Sequence, residues 1–192
     1  IATDLTVSTF TSGSSLADGT YYWKVKSKDG AGNDPDSSTF TFTLDTTPPT
    51  ITSTIFTPTI IGTTAQVTIT KTVTDAVGVA SVSATVNNSA GVSVGSVPLS
   101  LILGTAQSGT WRGTFTFTAQ PDGTYTVDDI ATDTAGNVVR ETDGSVLLDR
   151  TAPLVSIVSI TPSVAKPTDS VTVAASSTDA TSGISGLTVR DV

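Results

Sequence analysis

Asp122-Gly123-Thr124-Tyr125-Thr126-Val127-Asp128-Asp129-Ile130-Ala131-Thr132-Asp133-Thr134-Ala135-Gly136-Asn137 is the stretch that decides how this chain folds. An Asp-Gly turn opens it, preceded by Pro121, which fixes φ where the turn needs it. Tyr125, Val127, Asp129 and Ala131 then alternate with Thr126, Asp128 and Ile130, the period-two pattern of a strand with one face buried. An Ala-Gly-Asn turn closes it. The same frame stands earlier, as Asp18-Gly19-Thr20-Tyr21, Asp29 and Ala31-Gly32-Asn33, displaced by 122 − 18 = 104 residues. Asp45, Thr47 and Pro49 return at the same offset as Asp149, Thr151 and Pro153, Thr57-Pro58 as Thr161-Pro162, and Asp75-Ala76 as Asp179-Ala180. A period of that length is a whole domain rather than a solenoid turn.

The alternation extends along the chain, and no period of 3.6 is sustained. Within one period, strands are expected near 51–56, 65–74, 79–86, 92–103, 110–118, 124–133 and 138–148. Seven short strands separated by Gly, Pro, Asn and Asp make an antiparallel β-sandwich. The window holds the last part of one module (1–45), a complete module (46–149) and the first part of a third (150–192). Neither partial module can bury its own face. Either the window is cut from a longer polymer, or the tail of one copy pairs with the head of the next. Thr46-Thr47-Pro48-Pro49-Thr50 and Thr151-Ala152-Pro153 read as short, stiff connections.

Composition narrows the function. About a third of the chain is Ser or Thr, which favours strands. The formal charge is −8, which argues against a nucleic-acid partner and fits an extracellular or cation-rich setting. With no His and no Cys, the usual general base, thiol nucleophile and zinc ligands are missing together. No enzyme is expected. No apolar run is long enough to span a membrane, and no disulfide is available to hold a module of this size, which can bury a core without one.

Asp-Gly-Thr-Tyr, Asp-x-Ala-Gly-Asn and Leu44-Asp45-Thr46-Thr47-Pro48-Pro49-Thr50-Ile51 resemble the bacterial immunoglobulin-like and fibronectin-III-like repeats of prokaryotic surface proteins. The resemblance covers essentially the whole chain. It implies an all-β fold of tandem immunoglobulin-like sandwiches joined by Pro-containing linkers, with Tyr21 or Tyr125 as a corner tyrosine. It also implies an extracellular, non-enzymatic role, as a structural repeat of an S-layer or surface filament whose partners are copies of itself. The alternative is a calcium-dependent adhesin or carbohydrate-binding stalk facing cell-surface glycans.

Four groups of residues carry candidate chemistry. Asp18, Asp45, Asp75, Asp133 and Asn137 are expected to gather at the first module junction, and Asp122, Asp149 and Asp179 at the second. Oxygen ligands from two domains suit Ca²⁺, while Asx-turn chemistry accounts for the same residues without a metal. Lys71 and Asp129 lie on the inward faces of strands that oppose each other across the core. They are partners, or a bulge turns one outward, because an unpaired buried charge is too costly. Related surface domains sometimes join such a pair as an amide, which needs a catalytic acid. Glu141, the only Glu, is not obviously in phase with the core. Tyr22, Lys24, Lys26 and Lys28 form a basic stripe, read either as a guarded sheet face or as a docking patch. Asn87-Asn88-Ser89 is a glycosylation sequon in an expected turn, with Asn87 as acceptor.

Overall fold

The computed structural model describes residues 9–190; the first eight positions of the first partial module and the last two of the third lie outside the described residues. The complete module comprises β3 (Thr50–Thr57), β4 (Ile60–Ile61), β5 (Gln66–Thr74), β6 (Val79–Asn87), β7 (Ser93–Gly104), β8 (Ser108–Thr116), β9 (Gly123–Asp133) and β10 (Val138–Leu148). The first partial module contributes the hairpin β1 (Gly19–Trp23) and β2 (Phe40–Leu44), and the third the hairpin β11 (Leu154–Thr161) and β12 (Thr172–Thr178).

Two sheets face each other in the complete module. One has the order β3-β5-β8 and the other β6-β9-β10-β4, and β7 belongs to both. Its first half pairs with β6 (Val82 opposite Leu99) and its second half with β8 (Ser100 opposite Arg112). This crossing strand is the irregular segment at 92–103, and its switch of partners explains why it lacks clean alternation. The sheets are antiparallel except at β4, which pairs parallel with β10 (Ile60 opposite Leu147). The β4 strand is a two-residue addition to the expected seven. It forms because Thr57-Pro58 interrupts the first strand and the chain then crosses to the other sheet.

The core follows from the alternation. Val67, Ile69 and Val73 of β5 and Tyr125, Val127 and Ala131 of β9 are buried between the sheets, with Ile61, Val86, Val146 and Leu148 around them. Trp111, Phe115 and Phe117 are also buried, and the Phe117 ring meets Tyr125 edge-on at 4.9 Å. The Tyr125 hydroxyl donates to the Pro121 carbonyl at 2.7 Å, and Tyr21 makes the same bond to Ala17 at 2.7 Å. Both repeats therefore carry the corner tyrosine, which pins the start of a strand to the turn before it.

β10 contains a bulge between Thr142 and Ser145. Before it, odd-numbered residues point inward; after it, Val146 and Leu148 do. Gly144 takes φ +134°, and a Cβ there would press on the Phe56 ring at 3.3 Å. This one-residue slip turns Asp143 toward the core.

Candidate functional site

At the first junction the linker is tied on both sides. Asp18 Oδ1 accepts from the Thr46 amide (3.1 Å) and hydroxyl (2.8 Å), and Oδ2 from the Thr47 hydroxyl (2.8 Å). The Thr46 and Thr47 hydroxyls hold the Asp18 carboxyl below its ordinary range, with the Thr46 amide adding to them. From the other side, Asn137 Nδ2 donates to the Asp45 carbonyl at 3.0 Å. That bond crosses from the turn after β9 to the end of the preceding module.

Three carboxylates converge beside it. One oxygen from each of Asp45, Asp75 and Asp133 lies within 4.8 Å of the others. The Asp133 side chain is buried, with Oδ1 accepting from the amides of Ala135 (2.8 Å), Gly136 (2.7 Å) and Asn137 (2.9 Å), and Oδ2 from Asn137 Nδ2 (2.8 Å). Burial opposes its ionisation, but the Asn137 amide and these backbone donors prevail and hold its carboxyl below the usual range. Asp75 Oδ1 accepts from Val77 (3.0 Å) and Gly78 (2.6 Å). Asp45 Oδ1 accepts from Thr47 at 3.1 Å, while Asp45 Oδ2 is buried without any hydrogen-bond partner. Like charges gathered this closely repel one another. A buried carboxylate oxygen with no donor adds a desolvation cost. An oxygen-seeking cation would satisfy both at once, so the donor set fits Ca²⁺.

Asp18 is not one of these converging groups. It was expected in the junction cluster, but all of its bonds go to linker threonines. The second junction departs from expectation in the same way. Asp122 accepts from the Arg150 amide (3.0 Å) and the Thr151 hydroxyl (2.7 Å), and forms an ion pair with Arg150 Nε at 3.2 Å. Arg150 stands where the first junction has Thr46, so a side-chain cation already neutralises Asp122. Asp149 Oδ2, the counterpart of the orphaned Asp45 oxygen, accepts from the Ser182 amide at 3.0 Å. Asp179 Oδ1 accepts from the amides of Thr181, Ser182 and Gly183 and is an Asx-turn cap. Among the described residues, only the first junction gathers three carboxylates.

In the core of the complete module, Lys71 and Asp129 are both fully buried and paired. Of the outcomes left open by the sequence, a bulge turning one of them outward is excluded. Lys71 Nζ also donates to Asp143 Oδ2 (2.9 Å) and Thr54 Oγ1 (2.6 Å), and lies 5.5 Å from the centre of the Phe56 ring. Thr54 donates to Asp143 and faces Lys71 directly across β3 and β5. Burial pushes the Asp129 carboxyl up to about 7, against the pull of Lys71. Asp143 is less buried, and bonds from Thr54, Lys71 and Asp129 outweigh burial to hold it below its ordinary value. One ammonium is shared by two carboxyls, and the deeper of them, Asp129, is the one that burial pushes up. Asp129 Oδ1 is buried and unpartnered. Asp143 was missed in the sequence because strict alternation from Val146 and Leu148 points it outward; the only signal was Asp-Gly at 143–144, a bulge-compatible step. Glu141 sits opposite Asp129 in register but does not bond to Lys71.

The basic stripe of Tyr22, Lys24, Lys26 and Lys28 lies exposed, and two of its lysines have acidic neighbours. Lys24 and Lys26 pair with Asp36 (3.9 Å) and Asp34 (2.8 Å) of the returning chain. Asn87 is buried rather than in an open turn, and its Nδ2 donates to Asp128 Oδ2 at 2.6 Å. The nitrogen a glycan would occupy is committed to a carboxylate; the turn itself begins one residue later, at Asn88.

No helix of the described residues is long and apolar enough to cross a membrane. No curated protein matches the chain. Three family models do. A bacterial Ig-like domain matches residues 2–46, a bacterial Ig domain residues 49–128, and a bacterial Ig-like domain of group 3 residues 109–189. Domains of this kind are typical of extracellular or surface proteins and are generally non-enzymatic. With its all-β sandwich, crossing strand, corner tyrosines and three matches that together run along nearly the whole chain, the second and third overlapping at 109–128, the chain belongs to the bacterial immunoglobulin-like repeats, arranged in tandem.

Proposed function

We propose that the chain is a length of a stiff structural repeat in an extracellular cell-surface assembly, an S-layer or a surface filament. The reading is carried by the first junction, where Asp18 holds the linker to the module before it and Asn137 holds Asp45 to the module after it. A linker bonded on both sides transmits orientation, and a series of such linkers gives reach without slack. Ca²⁺ held by Asp45, Asp75 and Asp133 would neutralise the junction and fix the angle between the modules. Partners are further copies of the same chain.

The experiment is electron microscopy of the native full-length protein, first with calcium and then with a chelator. Ordered sheets or filaments that dissolve on chelation support both the array and the junction site. Isolated beaded strings under both conditions favour an adhesin stalk instead.

A further inference from the structure

We propose that Lys71 and Asp129 condense into an intramolecular amide that staples β5 to β9, with Asp143 as the proton acceptor. The proposal goes beyond the surface-array reading and holds whichever assembly the chain serves. Its warrant is the composition of one buried site. A primary amine and a carboxyl are in direct contact, both with wholly buried side chains. They sit on the facing inner strands where antibody domains place their inter-sheet disulfide. The cluster of a Lys with two carboxyls exceeds what a structural ion pair needs. A simple pair would be satisfied by one carboxylate, and here a second arrives by way of a bulge, at 2.9 Å from the same nitrogen.

The chemistry balances within the site. The starting charges are an ammonium on Lys71, a carboxylate on Asp143 and a proton on Asp129, whose carboxyl is raised to about 7 by burial and so retains that proton readily near neutral pH. Asp143 takes one proton from the ammonium. The freed amine attacks Cγ of the Asp129 carboxylic acid, which is a better electrophile than a carboxylate. A second amine proton passes by way of Asp143 to the Asp129 hydroxyl, the C–O bond breaks, and water leaves. The products are an amide, one water and a protonated Asp143. No oxidant, nucleotide or metal is consumed. Thr54 holds Asp143 in place by donating to it while accepting from Lys71. The reaction replaces buried ions with a neutral amide, removing the desolvation cost that opposes a buried pair.

Intact mass spectrometry of the purified, fully denatured chain, followed by peptide mapping, tests this. The expected result is a mass lower by one water, with a branched peptide joining the segments that contain Lys71 and Asp129. A mass equal to that of the linear sequence overturns the proposal. A loss of water mapped instead to succinimide at an Asp-Gly step, such as Asp122-Gly123 or Asp143-Gly144, overturns it as well. Asp143→Asn is expected to return the full linear mass, as is Lys71→Arg. An Asp143→Asn chain that still forms the branched peptide to completion removes Asp143 from the mechanism. The wild-type mass decides the bond even if a variant fails to fold.

Discussion

Lys71 and Asp129, 58 residues apart in the chain, meet through their side-chain termini in the interior of the complete module, with Asp143 as a third member. The pair carries charge into the interface between the two sheets of the complete module. It is specific to this module, since the equivalent positions are Val25 in the preceding repeat and Ala175 in the following one.

Removing one partner should therefore be far worse than removing all of them. Asp129→Ala leaves a buried ammonium beside only the half-buried Asp143 and is expected to cost about 3–5 kcal/mol. Lys71→Met with Asp129→Leu and Asp143→Ser should lose much less than the single variants summed. Urea unfolding of the three single variants and the triple variant checks this. Additive losses would mean that the three groups do not act as a unit.

Calcium is expected to raise the melting temperature and to be bound by the wild-type chain, with binding lost in Asp45→Ala and Asp133→Asn. Isothermal titration calorimetry reads this directly. Asp149→Ala is the control, because its junction lacks the three-carboxylate cluster among the described residues. Equal calcium binding by wild type and Asp45→Ala would contradict the site.

Stability should fall in acid. The carboxyls of Asp18, Asp122, Asp133 and Asp179 are held below 3.8 when folded, so their contributions are complete above the unfolded value and are lost as pH drops through the folded values. Asp129 has the opposite sign. Its folded value of about 7 lies above the unfolded 3.8, so an unbonded Asp129 contributes fully in acid and loses that contribution as pH rises from about 4 to 7. An amide removes that titration. Melting temperatures across this range should show only the acid decline; a second decline toward neutrality would mark an unbonded pair.

Asn87→Ala is expected to cost about 1 kcal/mol, because it removes a part-buried hydrogen bond to Asp128, which keeps its bond from the Thr142 hydroxyl. Expression of the chain in a glycosylating host should leave Asn87 unmodified, as read by glycopeptide mapping. Efficient modification at Asn87 would require β6 to open at its end.

The sandwich was legible because its signals are local and redundant. Alternation on β5 and β9 puts Lys71 and Asp129 on inward faces but leaves open a bulge that turns one outward, a choice only the packing of the two sheets closes; the Asp-Gly-Thr-Tyr turn anticipates the corner tyrosine. What escaped were features that depend on register or on the partner. The bulge at Asp143 inverts the inward face of β10 in mid-strand, and β7 changes sheets halfway along. Asp18 and Asp133 look alike as turn aspartates, yet the first caps a linker and the second anchors a carboxylate cluster. Only the path of Thr46 and Thr47 across Asp18 separates them. The pairing of Lys24 and Lys26 with Asp36 and Asp34 depends on the path of the returning chain, which alternation does not show.

Small-angle X-ray scattering of the 192-residue chain, recorded with calcium and then with a chelator, tests the central claim that the modules form a stiff series. The account predicts one extended shape with a sharply defined maximum dimension in calcium, and a broadened distribution once Asp45, Asp75 and Asp133 repel one another unscreened. A broad mixture of bent and compact shapes in both conditions would contradict it.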